Sequence, residues 1–353
     1  MSIPLSELAD GYTVPRIITG TWQLSKGHQA PRSRAEIFES FFRAIDSGIT
    51  AFDCADIYTG IEEMLGDFLR ECRQREGSAY ADRVRIHTKF VPDLEALSTL
   101  DKVYVEKIID RSLRRLGVEQ LDLVQFSWWS YDIDRWIETA GWIEELRQKG
   151  KILQIGTTNF HLESLRSMID AGIPVRTHQI QYSALDHRPE NGMVEYCREN
   201  GIGIFCYGTL AGGFLSEHYL DTSDSFEKLK NRSLVKYRLI IDEYGGWERF
   251  QKLLKEMDQI ARQHGATIAQ VALRYALDRP GVTAAIVGVS KAERVSQIAK
   301  TFDLTLDDSQ REIIHALGRT APGPNGPVYG LEREKNSRHA AIMKYGLNRE
   351  NLS

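Results

Sequence analysis

Apolar residues in this chain recur with two different periods, one after the other. Short runs rich in β-branched and aromatic residues read as strands. They end near Gln23 (RIITGTWQ), Asp53 (ITAFD), Lys89 (RVRIHTK), Ser127 (LDLVQFS), Asn159 (ILQIGTTN), Gln179 (RTHQ), Tyr207 (IGIFCY) and Val289 (AAIVGV). Between them the spacing becomes helical. Ile37, Phe38, Phe41, Phe42 and Ile45 share one face of 35–46, and Val105, Ile108, Ile109, Leu113 and Leu116 one face of 103–116. The same spacing predicts helices over 61–72, 135–149, 161–171, 191–200, 250–264, 267–278 and 291–300.

Eight strands, each followed by a helix, predict an α/β fold of the closed (β/α)8 TIM-barrel type. A doubly wound open sheet usually opens with a glycine-rich turn, and no GxGxxG follows the first strand. Between Tyr207 and Val289 lies an extra segment, 216–249, rich in charge and tyrosine. A long loop after strand 7 predicts a lid or binding segment rather than packing. The length of 353 residues allows one domain or two. The strand count favours one barrel over 1–318, with its site at the C-terminal strand ends. The remainder, 319–353, opens as far as Pro327 with an APGPNGP run and reads as an extension packed on the barrel or used in an oligomer contact.

Composition narrows the partners. Lys plus Arg total 45 against 49 Asp plus Glu, a net charge of −4, which disfavours nucleic acid or an anionic membrane as partner. No apolar run approaches the ~20 residues of a bilayer span. The N-terminus lacks the basic and apolar regions of a secretory signal. Four scattered cysteines without a CxxC pair suit a reducing compartment, so a cytoplasmic location is expected. Nine histidines form no HExxH or Cys/His cluster, and no metal site is expected.

In a (β/α)8 barrel the chemistry sits where strands end. That rule selects Thr21, Trp22, Asp53, Tyr58, Lys89, Ser127, Trp128, Asn159, Gln179 and Tyr207. Asp53, Tyr58 and Lys89 are titratable and able to act together. An ammonium beside a phenol lowers its pKa, and a carboxylate holds the ammonium in place. Such a tyrosine is poised to protonate a carbonyl oxygen. A structural ion pair beside an ordinary loop tyrosine fits the same spacing. His87 points to the inner face but about 6.6 Å deeper than Lys89, as a barrel-core histidine. Trp128 or Trp129 offers an aromatic wall.

AFDCADIYTGIEEMLG, IHTKF, DLVQFSWW, IGTTNF, HQIQYSALD and CYGTLAGGFL occur in that order, and together they resemble the aldo-keto reductase family from about Thr13 to Thr301. The resemblance implies a barrel that binds NADPH and reduces aldehydes or ketones. It implies Tyr58 as general acid, with Asp53 and Lys89 as its tuning partners. The family's histidine in the DLVQFSWW motif is Ser127 here, a shorter donor that cannot become a cation. The resemblance further implies cofactor contacts at Thr21, Trp22, Asp53, Thr158, Asn159, Gln179, Tyr207, Leu210 and Gly212. Ser290, Lys291, Arg294 and Gln297, in IVGVSKAERVSQI, match its adenosine-phosphate motif, with Arg294 favouring NADPH over NADH. Trp22, Tyr58 and Trp128 would touch substrate. Two other functions suit the serine: an NADP-binding regulatory or sensor protein with vestigial activity, and redox-neutral, epimerase-like chemistry on bound NADP.

Overall fold

The computed structural model describes residues 3–25, 32–224, 229, 231–289 and 292–350. It opens with an antiparallel hairpin, β1 (Leu5–Ala9) and β2 (Tyr12–Pro15). Eight parallel strands follow: β3 (Ile17–Gly20), β4 (Ala51–Asp53), β5 (Arg85–Phe90), β6 (Leu121–Phe126), β7 (Ile152–Thr158), β8 (Val175–Gln181), β9 (Gly203–Tyr207) and β10 (Val282–Gly288). Each pairs with the next and β10 closes on β3, giving the expected barrel. Lys89 lies opposite Gln125 and Thr158 opposite Gln179 in the ladder. Period-2 alternation therefore delivers several polar side chains to one level of the barrel.

The helices form the outer layer: α1 (Arg34–Asp46), α2 (Ile61–Glu76), α3 (Ser78–Ala81), α4 (Lys102–Leu116), α5 (Trp136–Gln148), α6 (Leu162–Asp170), α7 (Met193–Glu199), α8 (Arg232–Glu243), α9 (Gly246–His264), α10 (Ile268–Leu277), α11 (Ala292–Ala299) and α12 (Asp308–Arg319). Their apolar faces show why the periodicity is reliable. On α1, Phe38, Phe41 and Phe42 each meet Phe68 of α2, edge to face at 5.0–5.2 Å, while Ser33 and Glu36 form a capping box that starts the helix. Among the described residues no helix is long and apolar enough to cross a membrane.

Two features depart from the sequence expectation. The hairpin gave no clear signal, and it supplies Tyr12 and Val14 to an apolar cluster with Ile18, Ala51, Leu123, Phe205 and Ala284. The segment after β9 does more than cover the site. Its helix α8 and the residue after it bury Tyr237, Ile240, Ile241 and Tyr244 against Phe214, Phe250, Leu254 and Met257. Packing was the reading set aside for 216–249; here one face of α8 packs while Arg232, Ser233 and Lys236 line the cavity.

After α12 the chain runs across the mouth of the barrel through two short turns, α13 (Gly330–Arg333) and α14 (Leu347–Glu350). Arg333 donates to the carbonyls of Trp128 and Trp129, and Leu94 N–H donates to Tyr345 O at 2.8 Å. Asn348 is wholly buried.

Candidate active site

A cavity of about 580 Å³ opens at the C-terminal strand ends, roofed by α8, Tyr329 and residues of the stretch 342–347. At its floor lies a buried ion pair. Lys89 Nζ donates to Asp53 Oδ1 at 2.8 Å and Oδ2 at 2.6 Å, and to Cys54 O at 2.8 Å. Asp53 Oδ1 also accepts from Gln125 Nε2 at 3.0 Å and Gln179 Nε2 at 2.6 Å. Gly156 makes room for this brace, because a Cβ there would overlap Thr177 Oγ1 and press on Gln125 Cγ. Burial of both charges is tolerable because each is paired and hydrogen-bonded.

Tyr58 lines the same cavity, with Lys89 Nζ 5.2 Å from its ring centroid. Its pKa moves opposite to the sequence expectation. Burial pushes it well above the usual phenol value, and the Asp53 carboxylate adds to the rise. Burial is the main cause, and the lysine charge that would favour a phenolate is already matched by Asp53. Tyr58 therefore carries its proton at neutral pH. Ser127 also lines the cavity, held by its N–H to Phe90 O at 3.0 Å. His87 does not substitute for the missing histidine. It is fully buried, bonded to Tyr12 Oη at 3.0 Å, stacked on Phe205, and held down at about 3 by burial.

The remaining expected residues divide clearly. Trp22, Thr158, Asn159, Gln179, Tyr207, Leu210, Gly212 and Arg294 line the cavity with the four catalytic candidates. Asn159 adopts a φ of 63° and accepts from Tyr207 Oη at 2.9 Å, which fixes the aromatic face. Lys236 Nζ lies 4.8 Å from that ring's centroid. Thr21 turns away: it is buried and donates to Asp53 O at 2.7 Å. Gln297 is exposed and outside the lining. Ser290 and Lys291 lie outside the described residues.

Trp128 requires a correction. It is completely buried, with Nε1 donating to Ser130 O and Ile133 O, and packs on Phe126. Its neighbour Trp129 forms the cavity wall instead, donating to Pro92 O at 2.8 Å and meeting Tyr345 edge to face. Alternation places only one of two consecutive tryptophans on a given face. Sequence reasoning also missed Gln125, Lys236, Tyr237, Tyr329, Met343 and Lys344. Lys236 and Tyr237 fall in the 216–249 segment expected to bind, and Gln125 lies two positions before Ser127; Tyr329, Met343 and Lys344 had no signal of their own.

The donor set fits a nicotinamide dinucleotide. Side-chain amides and an aromatic face lie near the ion pair, a small-residue loop runs alongside, and Arg294 supplies a cation. Comparison with known proteins agrees. The Aldo/keto reductase family model matches residues 16–319. L-glyceraldehyde 3-phosphate reductase of Escherichia coli (strain K12) is 29% identical over 334 residues, covering 89% of this chain and 91% of the relative. A thermostable aldo-keto reductase, Tm1743, solved with the inhibitor epalrestat, superposes with a TM-score of 0.70 at 25% identity, over 90% of this chain and all of that one. The aldo/keto reductase of Klebsiella pneumoniae, solved with NADP and acetate, shares the fold with a TM-score of 0.66 at 24% identity, over 90% of this chain and 95% of that one.

Proposed function

The chain belongs to the aldo/keto reductase family of NADP-dependent oxidoreductases, and from that premise we propose that it reduces a small aldehyde or ketone to the alcohol, with Tyr58 as proton donor. The observation that carries this reading is the Tyr58 phenol, protonated at neutral pH and set beside an Asp53–Lys89 pair whose charges cancel. When bound, NADPH supplies the hydride. Thr158, Asn159 and Gln179 would hold its carboxamide, Tyr207 its ring, and Leu210 with Gly212 the pyrophosphate. Arg294, with Ser290 and Lys291, would take the 2′-phosphate.

As negative charge grows on the carbonyl oxygen, Tyr58 transfers its proton there, leaving a phenolate beside the Lys89 ammonium, which Asp53 holds in place. Ser127 orients the carbonyl with its hydroxyl. It contributes a neutral hydrogen bond where a histidine would offer a stronger, chargeable donor. Trp22 and Trp129 form the aromatic walls.

The test is NADPH fluorescence on binding, followed by turnover with a panel of simple aldehydes, ketones and L-glyceraldehyde 3-phosphate. Tight NADPH binding with turnover of at least one carbonyl supports the reading. Binding without turnover of any of them overturns it in favour of a sensor role. Ser127→His then measures what the serine changes, and a gain restricted to simple aldehydes would mark Ser127 as a substrate selector.

A further inference from the structure

Away from the cavity, three side chains converge where the loop after β8 meets α12. His187 and Glu190 come from the loop segment HRPE, and His315 from α12. His187 Nδ1 is 3.9 Å from Glu190 Oε1, and His315 Nε2 is 3.7 Å from Glu190 Oε2. One candidate ligand atom from each residue lies within 4.8 Å of the others. None of the three lines the substrate cavity. We infer that His187, Glu190 and His315 bind one zinc ion that ties α12 to the barrel.

The donor set is one zinc prefers, two imidazoles and a carboxylate. Bonds of about 2.0–2.1 Å in a tetrahedral site put ligand atoms about 3.4 Å apart. The His315 Nε2–Glu190 Oε2 distance is within half an ångström of that, and the widest separation in the set, at most 4.8 Å, closes by a shift of the Glu190 side chain. The other ring nitrogens and carboxylate oxygen are already oriented. Tyr275 Oη lies 3.0 Å from His315 Nδ1 and 3.4 Å from His187 Nε2, which leaves Nε2 of one ring and Nδ1 of the other facing Glu190. Tyr182 Oη at 2.7 Å and Arg279 at 2.8 Å both donate to Glu190 Oε1, leaving Oε2 for the ion. The Arg279 charge also offsets the carboxylate, so metal affinity rests on the two imidazoles.

A separate observation points to a ligand. His187 Nδ1 is buried and has no hydrogen-bond partner. A buried nitrogen in that state is destabilising unless something satisfies it. The ring is also fixed against simple escape, because it sits over Gly318, where any Cβ would overlap it.

The experiment uses the full chain stripped of metal with a chelator, given one equivalent of Zn²⁺, desalted, and assayed for bound metal and thermal midpoint. One zinc per chain and a raised midpoint are expected. His187→Ala and His315→Ala should each weaken zinc binding about 100-fold or more. No retained zinc in the wild type, or equal retention in both variants, overturns the proposal. Co²⁺ added to the wild type gives a reading that needs no variant. An intense visible spectrum of tetrahedral cobalt supports the site, and a weak octahedral one overturns it.

Discussion

The Lys89 ammonium contacts both oxygens of Asp53, at 2.8 and 2.6 Å, so the pair is electrically closed before any substrate arrives. Tyr58 consequently works as a neutral acid rather than a pre-formed phenolate. Tyr58→Phe removes the transferable proton and leaves the ring. Turnover should fall by about 10²–10⁴-fold, the range for loss of a general acid, with NADPH affinity unchanged. Single-turnover kinetics beside a fluorescence titration separates the two effects. Undiminished turnover would assign the proton to another group.

The same closure predicts a stability effect. Asp53→Asn leaves a buried ammonium uncompensated, which destabilises by about 3–5 kcal/mol, whereas replacing both partners avoids the unpaired charge. Urea unfolding should rank wild type and the Asp53→Asn, Lys89→Met double variant well above Asp53→Asn alone. A double variant no better than the single one would contradict this account.

Most of the barrel was legible because each element carries its own period. α1 and α4 bury the apolar faces their spacing marks, and Asp53, Lys89 and Ser127 follow from the strand-end rule alone. Trp129 rather than Trp128 follows from the same alternation, since it lies two positions after Ser127 and shares its face. The direction of the Tyr58 shift, by contrast, was hidden. It depends on burial and on how completely Asp53 matches Lys89, which are properties of three-dimensional packing. Tyr329 and Met343 reach the cavity from a segment whose path is set by long-range contacts, so no local pattern marks them.

Asp56 introduces a pH dependence. Burial, with the Glu62 carboxylate adding, raises its pKa to about 7 against the weaker pull of Arg111. Arg115 pairs with Glu62 and donates to Asp56 O, and Asn348 and Val91 N–H donate to its carboxylate. A carboxyl with a raised folded pKa binds its proton more tightly folded than unfolded. Its contribution is full below the unfolded value near 3.8 and is lost as pH rises through about 7. Between pH 5 and 8 the loss is about 2–3 kcal/mol. Asp56→Asn should remove that slope relative to wild type in denaturation at both pH values. Parallel curves for the two proteins would refute it.

Asn348 holds the segment 342–348 over the site. Its N–H donates to Asp93 Oδ1 at 2.9 Å, its Nδ2 to Val91 O at 2.6 Å and Asp56 Oδ2 at 3.1 Å, and Arg111 donates to its Oδ1. Just before it, Met343, Lys344 and Leu347 form part of the cavity wall. Asn348→Ala strips the side-chain bonds and leaves Arg111 without that acceptor, at a cost of about 1–3 kcal/mol. The freed wall should loosen substrate binding more than chemistry. KM for the carbonyl is therefore expected to rise about tenfold, which is 1.4 kcal/mol of that loss, while kcat changes little. Limited proteolysis should also cut the variant faster within 340–348. A fall in kcat with KM unchanged would instead mean that Asn348 acts through Asp56 on the loop carrying Tyr58.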